Sequence, residues 1–386
     1  MFLKLMIAMS ISIVGMSTGI EAGPDEMDIY ARPMADDSAW IRDERALICN
    51  FHNMYQPCVI EMPDGAYPYR MWFFGWATAD GNPDIPGCDA VYHARSRDLN
   101  HWEFYTGSVL AEEGAPRDWD AEMRPERWTP VLTASERYYD SWHNGDPSVV
   151  YRDGRYYMAY SATSRSYYKK SHDHLDGQLL CIMGAVSSDG IHWTKTDAPL
   201  LIESEAAQQA ETTAAHVCDF HRPSLMWDDG KWKLWFDYWN HPHGVCMGYA
   251  ENTGDFATPG AFKPTHDLRA RPLIKNWPNP DVVRINGRYH AFADPTGYPP
   301  TSTHSESARM WSSRALCEAV SDDGMTWRIL GYIKNDKDAP ACHVPQTLLT
   351  IISGERRLYL FYAVQRGGNP DYDYRYDRIR AMWRRH

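Results

Sequence analysis

Acids, histidines and an arginine recur in this chain beside prolines. His143, Asn144 and Asp146 precede Pro147, Asp219, His221 and Arg222 precede Pro223, Asn279 and Asp281 flank Pro280, and His343 stands two residues before Pro345. Asp237, Asp294 and Glu318 stand apart from these, within or beside aromatic runs. Two carboxyl groups facing one another can cleave an acetal: one protonates the leaving oxygen while the other activates water or attacks carbon. Asp146 and Asp281 come from separate segments and can supply such a pair, Asp146 as the base. For the proton donor, His221 and Glu318 compete. His221 has Asp219 two residues away to hold its proton, whereas Glu318 has the usual chemistry in a less central position. Asp219, Arg222, Asp237, Asp294, Asn144 and His143 are candidates for gripping hydroxyl groups, and Arg222 could also hold a carboxylate or sulfate. Trp76, Trp119, Trp142, Tyr238, Trp239 and Trp277, in or beside long loops, are candidates for stacking on a sugar ring.

These residues need a scaffold that brings distant segments to one place, and the sequence contains one as an internal repeat. Five segments share a polar residue and a Pro, a short apolar run, a tight turn and a second aromatic run: YQPCVIEMPDGAYPYRMWFFGWA, GDPSVVYRDGRYYMAYSA, HRPSLMWDDGKWKLWFDYW, NPDVVRINGRYHAFADP and HVPQTLLTIISGERRLYLFYAV. The prolines are 57, 147, 223, 280 and 345. Their spacing suits one four-stranded unit each, with loops of different length. β-Branched and aromatic runs bounded by Asp-Gly and Asn-Gly predict strands joined by two-residue hairpins. A third run follows most pairs and leaves through a common exit, as in AVSSDGIHW and AVSDDGMTW. Helical periodicity is nearly absent. The expected fold is all-β, a five-bladed β-propeller of four-stranded antiparallel blades.

Antiparallel pairing places the starts of first strands, the ends of second strands and the starts of third strands on one face. That face also receives the long connections Ala77–Gly87, Ala111–Trp142, Thr163–Leu180, Glu203–Val217 and Thr296–Arg314. Long loops around an axial ring of polar residues imply a pocket there. The Trp102, Trp193 and Trp327 exits fall on the opposite face and are expected to pack blades.

Acidic residues outnumber basic ones by 51 to 39, and a net charge of −12 argues against a nucleic-acid or anionic-membrane partner. Arg378, Arg380, Arg384 and Arg385 are expected to form the solvated rim of a last strand. Lys4, an apolar run from Leu5 to Val14 and small residues up to Ala22 have the layout of a secretory leader, so residues 1–22 are read as a signal peptide and 23–386 as a single propeller domain, secreted or periplasmic. The eight cysteines form no C-x-x-C and are read as small buried hydrophobes rather than zinc ligands.

On these motifs the chain resembles the five-bladed propeller glycoside hydrolases, the group that holds families 43, 32 and 117, over about Asn50 to Arg380. Gly145-Asp146-Pro147 matches the D-P motif of the family 43 base, and Asn279-Pro280-Asp281 the P-D motif of its orienting aspartate. His221-Arg222-Pro223 stands where that family has Glu-Gly-Pro, and a family 117-like enzyme is similar in using a histidine as proton donor. The resemblance implies an exo-acting glycosidase of plant or algal poly- or oligosaccharides with no required cofactor. It further implies a possible structural Ca²⁺ near the propeller axis, held through His343. The alternative is a catalytically inactive, carbohydrate-binding propeller.

Overall fold

The computed structural model describes residues 39–49, 55–63, 65–76, 89–107, 118–164, 179–205, 208, 217–240, 243–295, 314–334, 336, 341–365 and 378–386. Residues 1–22, read above as a signal peptide, and most of the long connections lie outside the described residues. Strand β1 (Ile41–Ile48) comes first. The first blade follows as β2 (Tyr55–Glu61), β3 (Tyr69–Trp76), β4 (Asp89–Ser96), β5 (Trp102–Tyr105) and β6 (Trp119–Asp120). The second is β7 (His143–Arg152), β8 (Arg155–Ser164), β9 (Leu179–Ser187) and β10 (Thr194–Lys195). The third is β11 (Val217–Asp228), β12 (Lys231–Asn240), β13 (Gly244–Asn252), β14 (Lys263–Pro264) and β15 (Ile274–Lys275). The fourth is β16 (Asp281–Ile285), β17 (Arg288–Ala293), β18 (Cys317–Ser321) and β19 (Arg328–Tyr332). The fifth is β20 (Ala341–Ile352), β21 (Glu355–Gln365) and β22 (Arg378–Arg385), and β1 supplies its outermost strand by pairing with β22. The protein is therefore a five-bladed propeller whose last blade is closed by an early strand, a latch that the repeat pattern does not announce.

Hairpin chemistry is as expected from the sequence. At Asp153-Gly154, Asp229-Gly230, Asn286-Gly287 and Ser353-Gly354 both central residues have φ between +50° and +84°, the signature of the primed turns that match strand twist. The third-strand exits form a second recurrent device. Ser187 Oγ accepts from the N–H groups of Asp189 and Gly190, Asp189 Oδ1 accepts from Ile191 and His192, and Trp193 Nε1 donates to Gly190 O. Ser321, Asp323 and Trp327 repeat the arrangement, as do Ser96, Asp98 and Trp102. Each of two exits also receives a neighbouring blade: Trp72 of the first donates to Gly190 O, and Trp235 of the third to Gly324 O, both at 2.9 Å. A Cβ on Gly190 would meet the Trp72 ring at 2.8 Å.

The hydrophobic core is divided among the seams between blades. Among the described residues five clusters occur, each drawing on two adjacent blades, such as Trp72, Val149, Tyr156 and Met183 between the first and second. All described cysteines except Cys49 are buried in such surroundings, and none of the seven forms a disulfide. Among the described residues no helix is long and apolar enough to cross a membrane. Arg380 and Arg384 depart from the expected solvated rim. Arg380 pairs with Asp336 at 2.8 Å and Arg384 with Glu318 at 2.7 Å, because β22 lies inside its sheet, covered by β1.

A further regularity lies on the innermost strands. In four successive seams the side chain just after the repeat proline accepts a hydrogen bond from the backbone N–H two residues after the next blade's proline. The pairs are Cys58 with Val149 (3.2 Å), Ser148 with Leu225 (2.9 Å), Ser224 with Val282 (2.9 Å) and Asp281 with Thr347 (2.7 Å). Ser224→Ala removes the acceptor of a buried N–H and should cost about 1–3 kcal/mol. Urea denaturation measures it, and a loss no larger than that of an exposed serine would contradict the role of this buckle.

Candidate active site

Each repeat proline is preceded by a residue at positive φ: Gln56 (+44°), Asp146 (+50°), Arg222 (+50°), Asn279 (+53°) and Val344 (+51°). In the four inner strands that reach past their proline, the ladder slips at the same place: between Tyr55 and Cys58, Gly145 and Ser148, His221 and Ser224, and His343 and Gln346. Proline has no N–H for the ladder, and a non-glycine residue at positive φ stores on the order of 1–3 kcal/mol. Such bulges re-aim side chains at sheet ends. Three of the five strained residues, Asp146, Arg222 and Asn279, carry the polar groups of the site.

One connected network joins the third and fourth blades. His221 Nδ1 lies 2.5 Å from Asp237 Oδ1, across the β11–β12 ladder, and both side chains are buried. Asp237 Oδ2 accepts from the Asn279 backbone N–H at 2.8 Å and from Arg222 Nη1 at 3.4 Å. The Asn279 side chain donates to Asp294 Oδ1, whose other oxygen accepts from Arg314 Nη1 at 2.7 Å. Burial alone would push the Asp237 carboxyl up, but the charges of His221 and Arg222 hold it below its ordinary value. Asp294, fully buried, is raised by burial in spite of Arg314. The Arg222 guanidinium stays firmly ionised against its burial, through the fields of Asp237, Asp146 and Asp294, and its backbone N–H donates to Ser161 Oγ in the second blade.

Asp146 is half-buried at its bulge, its charge acts on Arg222, and its carboxylate makes no hydrogen bond or ion pair with any described residue. Nearby on the same strand Asn144 is fully buried, with neither its amide nitrogen nor its oxygen hydrogen-bonded to any described residue. A donor and an acceptor there await a partner. His143 Nδ1 pairs with Asp89 Oδ2 of the first blade at 3.0 Å. The cluster thus combines an uncommitted carboxylate, an imidazole backed by a carboxylate and a fixed guanidinium, the elements of acid–base catalysis.

Other sequence-selected residues are placed differently. Asp237, not Asp219, is the carboxylate at the His221 ring, while Asp219 is buried at its own positive-φ position (+57°) beside Cys218. Asp281 does not stand free opposite Asp146. It is committed to the buckle: Ser224 Oγ and Gln346 Nε2 donate to Oδ1 at 3.1 and 2.6 Å, and the Thr347 N–H and Oγ1 donate to Oδ2 at 2.7 and 2.5 Å. Glu318 does not reach the axis. It is completely buried between the fourth and fifth blades, held by His290 Nδ1 at 2.8 Å and by two nitrogens of Arg384 at 2.8 and 2.7 Å. These partners overcome its burial and keep its pKa low, so it has no proton to give. Trp239 is partly buried at the end of β12, and the side chain of Trp76 lies outside the described residues. Tyr238 and Trp277, which sit beside long loops in the sequence, are buried in seam cores and cannot stack on a ligand.

His343 is buried, and its ring is held neutral by burial and by the charges of Arg314 and Arg222. Two guanidinium charges facing this imidazole oppose a cation. No group of three or more His, Cys, Asp or Glu able to hold a metal ion occurs among the described residues. These residues do not fit the expected Ca²⁺. Arg314 is the site member that the motifs missed. It follows a long connection, so only its charge at the head of the run RALCEAV marks it.

No family model matches the chain, and no curated protein matches its sequence. Among solved structures it is similar to one described as a glycoside hydrolase (TM-score 0.58, 15% identity, 89% of this chain and 90% of that one). It is also similar to a thermostable family-43 glycoside hydrolase (0.54, 14%, 87% and 90%) and to an α-L-arabinofuranosidase from Lactobacillus brevis (0.53, 13%, 88% and 91%). The five-bladed propeller is thus a fold shared with solved glycoside hydrolases.

Burial pushes the Asp281 carboxyl up to about 6, against its four hydrogen bonds. Below about pH 4 folded and unfolded chains both carry this proton. Between about 4 and 6 only the folded chain keeps it, so its contribution to stability is lost as pH rises through about 6. Asp281→Asn keeps the shape and stays neutral. Its stability relative to wild type should therefore rise by on the order of 2–3 kcal/mol between pH 4 and 7. Parallel urea titrations measure this difference, and a gap that does not change with pH would overturn the assignment.

Proposed function

We propose that this chain is an exported glycoside hydrolase, exo-acting on plant or algal poly- or oligosaccharides, with its reaction centre at the axial network. The observation that carries this reading is an uncommitted Asp146 whose charge acts on Arg222, the residue next to a His221 that is backed by Asp237. Asp146 acts as base, removing a proton from the attacking water. His221 acts as acid. Asp237 beside Nδ1 fixes the ring, which leaves Nε2 for the leaving oxygen. Arg222 supplies a fixed positive charge beside Asp146 and orients Asp237. Asn144 and His143 offer hydrogen bonds to sugar hydroxyls. Histidine in place of a Glu-Gly-Pro acid favours a second reading, a binding propeller without turnover.

Activity on a panel of aryl glycosides and oligosaccharides, arabinofuranosides, xylosides and galactosides among them, separates the two. For a hydrolase, Asp146→Asn should lower turnover at least about 100-fold with an unchanged melting temperature. Near wild-type turnover would remove Asp146 from the mechanism.

The acid is tested by leaving group. His221→Gln should nearly abolish cleavage of natural oligosaccharides while sparing an activated aryl glycoside, whose leaving group departs unprotonated. Glu318→Gln should instead leave the ratio between the two substrates unchanged and cost about 3 kcal/mol of stability, because it breaks a buried ion pair. The reverse pattern would make Glu318 the acid.

A further inference from the structure

Three arginines gather on the first blade, toward the hairpin ends of its strands and away from the axial network. Arg70 of β3 and Arg95 of β4 are directly opposite in the ladder, and Arg97 follows just past the end of β4. Like charges directly opposite on neighbouring strands destabilise a sheet. Compensation is incomplete. Arg95 lies between the rings of Tyr67 (3.9 Å) and Trp119 (4.1 Å) and donates to Glu103 Oε2 at 2.9 and 2.7 Å. Tyr67 OH donates to the other Glu103 oxygen at 2.7 Å, and Arg97 lies over the Tyr67 ring at 4.5 Å with a nitrogen 3.1 Å from its hydroxyl. Among the described residues Glu103 is the one carboxylate bonded to any of the three. Arg70 makes no hydrogen bond or ion pair with any described residue, its Nε is buried without an acceptor, and Trp119, its aromatic neighbour at 5.9 Å, is already covered more closely by Arg95.

We propose that Arg70, Arg95 and Arg97, with the rings of Tyr67 and Trp119, form a second binding site that takes a sulfate or carboxylate group carried on a sugar chain. A partly buried guanidinium with unused donors suits a planar or tetrahedral oxyanion, which it grips through paired N–H groups. The two rings offer edges and apolar surface to the sugar beside that group. The chain as a whole carries −12, so a long polyanion is repelled at a distance and a discrete anionic group is held by short-range pairing. This favours an acidic glycan over a nucleic acid. The site stands at the opposite ends of the strands from the axial network, so it can hold one stretch of polymer while another reaches the axis. It does not rest on the catalytic reading.

Calorimetry in the Asp146→Asn background, with no turnover to intervene, tests it with four probes: a sulfated galactan oligosaccharide, its desulfated counterpart of equal length, inorganic sulfate and a single-stranded oligonucleotide. The sulfated oligosaccharide should bind at least about tenfold more tightly than each of the others. Arg70→Gln should weaken it at least about tenfold, the equivalent of one charge-assisted hydrogen bond. The same variant should melt no lower than its parent, since cross-strand repulsion is relieved, and in the wild-type background should leave hydrolysis of a small aryl glycoside unchanged. Arg97→Gln, at an exposed side chain, repeats the measurement should Arg70→Gln fold poorly. Equal binding with and without these arginines, inorganic sulfate binding as tightly as the sulfated sugar, or tighter binding of the oligonucleotide would each overturn the proposal.

Discussion

The ring depends on a small hydrogen bond repeated from seam to seam: a side chain immediately after a proline accepts from the backbone of the next blade. Each is worth about 1 kcal/mol, yet its position gives it weight beyond that. Innermost strands of neighbouring blades meet at these bonds. The buckle fixes their height relative to one another, and with it the height of the strained residue two positions upstream. Cys58, Ser148, Ser224 and Asp281 occupy equivalent places, so one geometric requirement is met by three side-chain chemistries. Asp281 extends the device by also gathering Ser224 and Gln346, which ties three blades through one carboxylate.

Around this girdle the charges fall into two kinds. Those in the seams are matched, as in the grip of Arg384 and His290 on Glu318 or of Arg284 on Asp228 and Asp229, and they hold sheets at fixed angles. Those at the axis are chained: each carboxylate shares its partners with the next, from His221 through Asp237 and Asn279 to Asp294 and Arg314. A matched pair is complete in itself, whereas a chain has an end. Here the end is at Arg222 and Asp146, where one carboxylate is left without a partner among the described residues.

Much of this was legible in the sequence because the signals were local. Prolines 57, 147, 223, 280 and 345 mark the inner strands, the Asp-Gly and Asn-Gly pairs mark the turns, and the serine, aspartate and tryptophan of each exit sit in one self-contained hairpin. What was not legible depends on distance or on backbone torsion. Nothing in the letters Gln56, Asp146, Arg222, Asn279 and Val344 announces a shared positive φ, since their side chains have little in common. Asp237 approaches His221 only because a ladder puts them opposite, whereas Asp219, nearer in sequence, is not the carboxylate at that ring. Glu318 looked like an acid by type, but its partner Arg384 comes from the next blade, and a carboxylate clasped by a guanidinium is a strut. The aromatic residues misled for a related reason: Tyr238 and Trp277 neighbour loops along the chain but face seams in space.

The pairing of β1 with β22 has a consequence for how the molecule comes into being. As the chain emerges from the ribosome, four blades can each complete their sheets from neighbouring sequence, but the fifth waits. Its outer strand is made before any blade and its inner three strands after all the others, so β1 must remain available while most of the protein is built. The last joint is then the least local contact in the molecule, and the loop entropy of closing it falls due in a single late step. Circularity here is an event in time as well as a shape: the propeller is an open spiral until its oldest strand meets its youngest.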